Sequence, residues 1–185
     1  MKSKSEPIRY VAFLRAINVG GRFVKMAALI KMFESFGFDN VKTFIQSGNV
    51  FFDSEETDEG KLEQQIEKGL QKKLGYEVAT MVRTIDELKT MLKRNPFKKI
   101  SSDAKVSVAF MSDKLKEKVK FPLFSPKKDV EIFAIKDRDA FCIHHLVNGQ
   151  WGYPNNFIEK SLGVKTTVRF WWSLQKLIEA AKSEE

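Results

Sequence analysis

The densest group of polar and glycine residues follows the first apolar run of the chain. Leu14-Arg15-Ala16-Ile17-Asn18-Val19-Gly20-Gly21 closes that run and leads toward an apolar pattern beginning at Met26. A glycine pair between a strand and a helix lets backbone N–H groups approach an anion. Arg15 and Lys25 flank the pair and can add charge-assisted hydrogen bonds. The spacing is neither that of the phosphate loop GxxxxGKS/T nor that of the dinucleotide turn GxGxxG. On local pattern alone, glycines that merely turn the chain are the simpler account.

Three other groups carry polar chemistry. Gln46-Ser47-Gly48-Asn49 offers short donors and acceptors, which can hold a ligand or satisfy a tight turn. Asn95-Pro96-Phe97 reads as a helix exit, because the residue before proline is driven out of the helical region. Lys165-Thr166-Thr167-Val168-Arg169-Phe170-Trp171-Trp172 sets arginine beside aromatics. That suits stacking and phosphate contact, although Trp171, Leu174 and Ile178 also have the spacing of ordinary core. Several chemistries find no support. His144 and His145 are neighbours on a strand pattern, so they face opposite ways and cannot chelate together. Cys142, the only cysteine, has no partner for zinc and lies in an apolar run. No GxSxG nucleophile turn occurs, and no metal site or cofactor is indicated.

The elements that must position these residues follow from periodicity. Arg9 to Ile17 is a buried strand pattern. Met26, Leu29, Ile30, Phe33 and Phe36 fall at helical spacing before Gly37. Val41–Gln46 and Val50–Phe52 form a hairpin about Ser47-Gly48-Asn49. Leu62, Ile66, Leu70 and Leu74 mark a second helix over Asp58–Leu74, closed by Gly75, and Val78–Val82 is a strand. The order strand–helix–strand–strand–helix–strand is that of a split βαβ, ferredoxin-like unit. Thr84 and Glu87 form a capping box for a helix over Ile85–Arg94. Beyond it the pattern returns: a strand at Val106–Met111, a lysine-rich helix capped by Ser112 or Asp113, strands at Val130–Ile135 and Ala140–Leu146, a helix over Asn155–Leu162, a strand at Lys165–Val168 and a final helix from Trp171 to Lys182. The repeat is one of pattern, with no internal identity of residues. The sequence therefore predicts an α+β chain of two ferredoxin-like halves with antiparallel or mixed sheets, divided into residues 1–84 and 85–185.

The chain has 185 residues, an ordinary apolar fraction of 43% and a net charge of +8, so it can bury a core and is not a disordered tail. No apolar run reaches a membrane span, and the first residues lack a signal-peptide core. A single cysteine fits a reducing cytoplasm. The positive charge permits phosphate-rich partners, including nucleic acid. A lysine-rich solubilising surface explains it as simply.

Two of these motifs carry a family likeness. Phe13 to Gly21 with Lys25-Met26 and Leu29, Phe36-Gly37, and Thr43-Phe44-Ile45-Gln46-Ser47-Gly48-Asn49-Val50 resemble the N-terminal signature of a bacterial family known as domain of unknown function 1697. Asn95-Pro96-Phe97 fits its middle. Leu162-Gly163-Val164, Thr167, Arg169, Trp171, Lys176 and Leu177 resemble its tail more loosely. The resemblance implies a two-lobed, ferredoxin-like fold and no assigned activity. It adds weight to Arg15, Asn18, Gly20, Gly21, Gln46, Ser47, Gly48 and Asn49 as the lining of one site, if the end of the first strand and the hairpin turn meet. The chain departs from the family at Ala16, where glycine is usual. It departs again at Val168, Phe170, Trp172 and Ser173, where the tail usually carries threonine, asparagine, asparagine and threonine. Arg169 keeps its type.

Three functions follow as expectations. The first is binding of a phosphate-containing or nucleotide-like small ligand at the first strand–turn–helix, by Arg15, Asn18, Gly20, Gly21, Lys25, Gln46, Ser47, Gly48 and Asn49, with Arg169. The second is an enzyme of unknown reaction in a cleft between the lobes. The third is a nucleic-acid-binding module, which requires exposed aromatics on a sheet face beside Lys or Arg. The sequence does not fix the oligomeric state.

Overall fold

The structure, a computed structural model, describes residues 6–18, 21, 23–45 and 48–182. The fold is α+β, and the described residues form five helices and antiparallel sheets. The chain divides into two compact units, one ending at Thr90 and the next beginning at Met91.

The first unit runs β1 (Ile8–Leu14), α1 (Met26–Ser35), β2 (Asp39–Phe44), β3 (Asn49–Ser54), α2 (Glu59–Leu74) and β4 (Thr80–Thr84), and then enters α3 (Ile85–Arg94). Its sheet has the order β2-β3-β1-β4, antiparallel throughout. Alternate residues of the central strands, Tyr10, Ala12, Leu14, Val50 and Phe52, form one buried cluster with Leu29 and Phe33 of α1 and Leu62, Ile66 and Leu70 of α2. Each large side chain so buried contributes roughly 1.5–3 kcal/mol. Gly75 closes α2 at φ +77°, as the sequence predicts, while Asp58, expected inside the helix, is instead its N-cap and accepts from the Lys61 N–H. Thr84 and Glu87 exchange backbone-to-side-chain bonds of 2.8 and 3.1 Å. The edge strand β4 is covered by carboxylates one helical turn apart: Glu67 accepts from the Thr80 N–H and Glu63 from the Val82 N–H, both at 2.9 Å.

The second unit continues from α3 through β5 (Lys105–Met111), β6 (Leu123–Phe124), β7 (Val130–Lys136), β8 (Asp139–His144), β9 (Leu146–Val147), β10 (Gln150–Trp151), α4 (Pro154–Leu162), β11 (Thr166–Phe170) and α5 (Trp171–Lys182). Its main sheet has the order β11-β5-β8-β7-β6, and β9 and β10 form a separate hairpin. The lysine-rich helix expected after Ser112 is absent. Residues 112–122 hold no helix, and β6 follows as a short edge strand. Only Leu115 and Val119 sit at helical spacing there. Lys114, Lys116, Lys118 and Lys120 place like charges four apart, which opposes a helix, and Pro122 ends the run. The second half is thus the first half's pattern with one crossover helix replaced by extended chain, and it gains three short strands.

The expectation of a repeat in pattern alone is also corrected. Val11-Ala12-Phe13 of β1 and Val108-Ala109-Phe110 of β5 are identical and fully buried. Thr80, Val82 and Arg83 of β4 match Thr166, Val168 and Arg169 of β11. The pairing registers agree: Arg83 lies opposite Val11 and Arg169 opposite Val108. Phe51 and Phe141 face the same two valines from the other side. Even the flanking bonds recur. Leu14 N–H donates to Gly48 O and Met111 N–H to Arg138 O, both at 2.8 Å. Arg15 N–H donates to Ala79 O and Ser112 N–H to Lys165 O, both at 2.9 Å. Glu159 of α4 accepts from the Thr166 N–H at 3.2 Å, as Glu67 does from Thr80.

Candidate functional site

The end of β1 and the β2–β3 turn meet. Beyond the Leu14–Gly48 bond, a Cβ placed on Gly48 would lie 2.5 Å from Ile17 Cγ2 and 3.1 Å from Leu14 Cβ. Gly48 also has φ +70°, so both space and backbone demand glycine there. β1 ends at Leu14, three residues earlier than its apolar run, because the chain then bends through left-handed conformations at Ala16 (φ +54°), Asn18 (φ +60°) and Gly21 (φ +82°). Ala16 accordingly occupies a conformation that favours the glycine usual at this place in the family it resembles. Across the gap Ile45 stands at φ +49° and is half exposed. A β-branched residue in that region is an outlier, strained by on the order of 1–3 kcal/mol.

Asn18 joins this loop to α1. Its Oδ1 accepts from the Val24 N–H at 2.6 Å, while its Nδ2 is buried and meets no acceptor among the described residues. Val24 directly precedes Lys25, the N-cap of α1, so the Asn18 amide lies beside the helix N-terminus. That terminus has no side-chain cap and no acidic residue in its first turn. Its unpaired N–H groups and dipole favour a negative charge. Lys25 is exposed and Arg15 half-buried. Gly21 is exposed, with open space where a side chain would stand. Asn49 serves the turn: it is buried, and its amide donates to Phe44 O at 3.1 Å. Gly20, Gln46 and Ser47 lie outside the described residues.

Arg169 belongs to the second unit. It is buried on β11 and donates to Thr167 Oγ1 and Val168 O, both at 2.9 Å. Burial holds its guanidinium down to about 10. Arg83 makes the corresponding bond to Val82 O at 2.7 Å and lies 4.0 Å from Glu63. Their shared place in two sheets is a structural one.

At the place in the second unit equivalent to the β1–α1 loop, a cleft of about 550 Å3 opens between residues 113–119 and 161–164. Lys114 and Lys116 are matched there by Asp113 and Glu117, so it lacks a charge preference. The buried His144 also lies in this unit. It joins Ser107 Oγ through Nε2 and Gly152 O through Nδ1, both at 2.7 Å. The carbonyl requires a proton on Nδ1, so Nε2 accepts from the serine. Burial lowers the His144 pKa below its usual value and keeps the ring neutral. Both side chains are closed to solvent, which makes the pair a satisfied core contact. Burial pushes the Cys142 thiol up to about 12, consistent with a core residue.

A family model described as a protein of unknown function (DUF1697) matches residues 8–141. The chain belongs to this family. The DUF1697 match contains both N-terminal motifs and stops before the looser tail signature. A conserved bacterial protein from Streptococcus pneumoniae, SP0830, has a similar fold, with a TM-score of 0.71 at 19% identity over 95% of this chain and 99% of that one. No curated protein sequence matches. Among the described residues, no helix is long and apolar enough to cross a membrane.

Proposed function

We propose that this DUF1697 protein binds a phosphate-containing or nucleotide-like anion at the β1–α1 loop, and that it does so in the cytoplasm. The observation that carries the reading is the uncapped N-terminus of α1 with the Asn18 amide beside it. Arg15, Gly21 and Lys25 belong to the same loop, Gly48 meets it from the hairpin turn, and Gly20, Gln46 and Ser47 are the sequence neighbours assigned to the same site. A helix N-terminus with an added amide donor is suited to a phosphate. A thermal-shift screen against inorganic phosphate, nucleotides and sugar phosphates tests it. A ligand at about 100 times its dissociation constant adds about 2.7 kcal/mol, a shift of several degrees. The expected result is a shift lost in both Asn18→Ala and Arg15→Ala. A flat screen, or a shift that survives both substitutions, overturns the reading.

A further inference from the structure

We propose that the second unit binds single-stranded nucleic acid on an aromatic–lysine platform formed by Trp151, Lys105, Phe170 and Trp172. This is a different site from the β1–α1 loop and rests on different residues. The charge of the chain is not evenly shared. Residues 91–185 hold 18 Lys and Arg against 11 Asp and Glu, whereas residues 1–90 hold 14 against 13. Nearly all of the net +8 therefore sits in the half that carries the platform, and a strong asymmetry of this kind points to a polyanion.

The platform is built around Lys105. Its Nζ lies 4.8 Å from the Trp151 ring centre and 5.1 Å from that of Phe170. Two residues beyond Phe170, Trp172 receives Lys176 Nζ at 5.4 Å. The indoles nevertheless stay open to solvent, 40% at Trp151 and 56% at Trp172, and neighbouring Tyr153 is 69% exposed. Large aromatic faces left in water, each with an ammonium against it, are the two components that a flexible strand needs: bases stack on any π-face and phosphates follow the cations. The middle of the main sheet does not offer this. Phe110 and Phe141 there are buried, so the platform lies at the strand ends, with Lys105 of β5 and Phe170 of β11 joined by Trp151 of the hairpin and Trp172 at the start of α5.

Trp151 is held in place. It lies on the β9–β10 hairpin opposite Leu146, closed by Asn148 (φ +49°) and Gly149 (φ +74°). Both residues have the positive φ of a type I′ turn. The hairpin's base is fixed by the His144–Gly152 bond and by Gly152 itself, where a Cβ would fall 2.3 Å from Asp129 O. A ring so anchored loses little freedom on stacking.

The test is fluorescence anisotropy with oligothymidylate and oligouridylate of about 15 nucleotides, a duplex of equal length and an acidic peptide, starting at about 50 mM salt. The expected result is binding to the single strands in preference to the duplex and the peptide, with quenching of tryptophan emission. Trp151→Ala and Trp172→Ala should each weaken it by about tenfold. Trp151→Phe should retain it, and Lys105→Gln should weaken it and flatten its salt dependence. Circular dichroism checks that each variant folds. Absence of binding at low salt overturns the proposal. So does equal binding of duplex and single strand that neither tryptophan substitution alters, and so does preference for the peptide, which would make the patch a protein contact.

Discussion

The two units share short identical stretches at the centres of their sheets, in the same register, and differ where the strands end. Val-Ala-Phe recurs in β1 and β5, and Thr-x-Val-Arg in β4 and β11, in the same register. Around that common frame the first unit has α1, a glycine-bearing loop and near-neutral charge. The second has extended chain in place of that helix, an added hairpin and most of the positive charge. The repeated residues are the buried ones, whose packing any sheet of this order needs. The residues that differ lie on loops and at element ends, where a rigid frame can present chemistry. The comparison therefore separates the shared frame from the variable ends within a single chain, and the proposed anion site and the proposed aromatic platform fall in different halves.

The strongest way to break the comparison is through the two arginines. Arg83 and Arg169 are 3% and 8% exposed, and each ties its guanidinium to the carbonyl of the valine before it. Removing a buried, hydrogen-bonded charge strands its partners, so Arg83→Ala and Arg169→Ala should each destabilise by about 3 kcal/mol or more. Urea unfolding followed by circular dichroism measures this. If one substitution changes stability by less than about 1 kcal/mol, the two positions are alike in sequence and register but not in energetics.

Gly48 sharpens the comparison at the strand ends. Its counterpart in the second unit is Arg138, since each carbonyl accepts from the residue at the end of the central strand. Gly48→Ala combines a left-handed backbone with a contact of 2.5 Å to Ile17, and should cost about 2–3 kcal/mol. Arg138→Ala, without that crowding, should cost far less. Equal losses in the two thermal melts would mean that Gly48 is not required by its packing.

Much of the frame is legible in the sequence because its signals are local. The apolar spacing of Leu62, Ile66 and Leu70, the stop at Gly75, and the Thr84–Glu87 box each need only a few neighbouring residues. The repeat is not legible in that way. Val11 and Val108 are 97 positions apart, Phe51 and Phe141 are 90, and Arg83 and Arg169 are 86. Differences in loop and helix length shift the offset each time, so no fixed period exists to be found. Only strand register aligns the pairs. The same limit applies to the sites. The glycine turn can be seen in sequence, but the contact of Gly48 with Ile17 and the place of the Asn18 amide are long-range facts. Lys105 and Trp151 are 46 positions apart, and nothing local joins them. The whole-chain charge of +8 also conceals that the β1–α1 loop lies in the near-neutral half.

The smallest effects concern pH and the thiol, and they isolate the second unit because both histidines and the only cysteine lie in it. His144 is kept neutral by burial, with the Lys105 charge also opposing its protonation. Its folded pKa is lowered, so the unfolded chain binds a proton more readily than the folded one. The stability this gives is complete above the unfolded value near 6.5 and is lost as pH falls through the interval down to the folded value. Cys142 reports on the same event. The thiol is fully buried and pushed up to about 12, so an alkylating reagent should reach it only when the unit opens. Native protein at pH 7.5 (a working value of about 1 unit above the His144 window) should label slowly. Labelling after brief exposure to mildly acidic pH should be faster, and His144→Gln should remove most of that difference. Rapid labelling of the native protein at neutral pH would show that the β8 core opens without global unfolding. The buried Ser107–His144–Gly152 chain could not then be what anchors the hairpin.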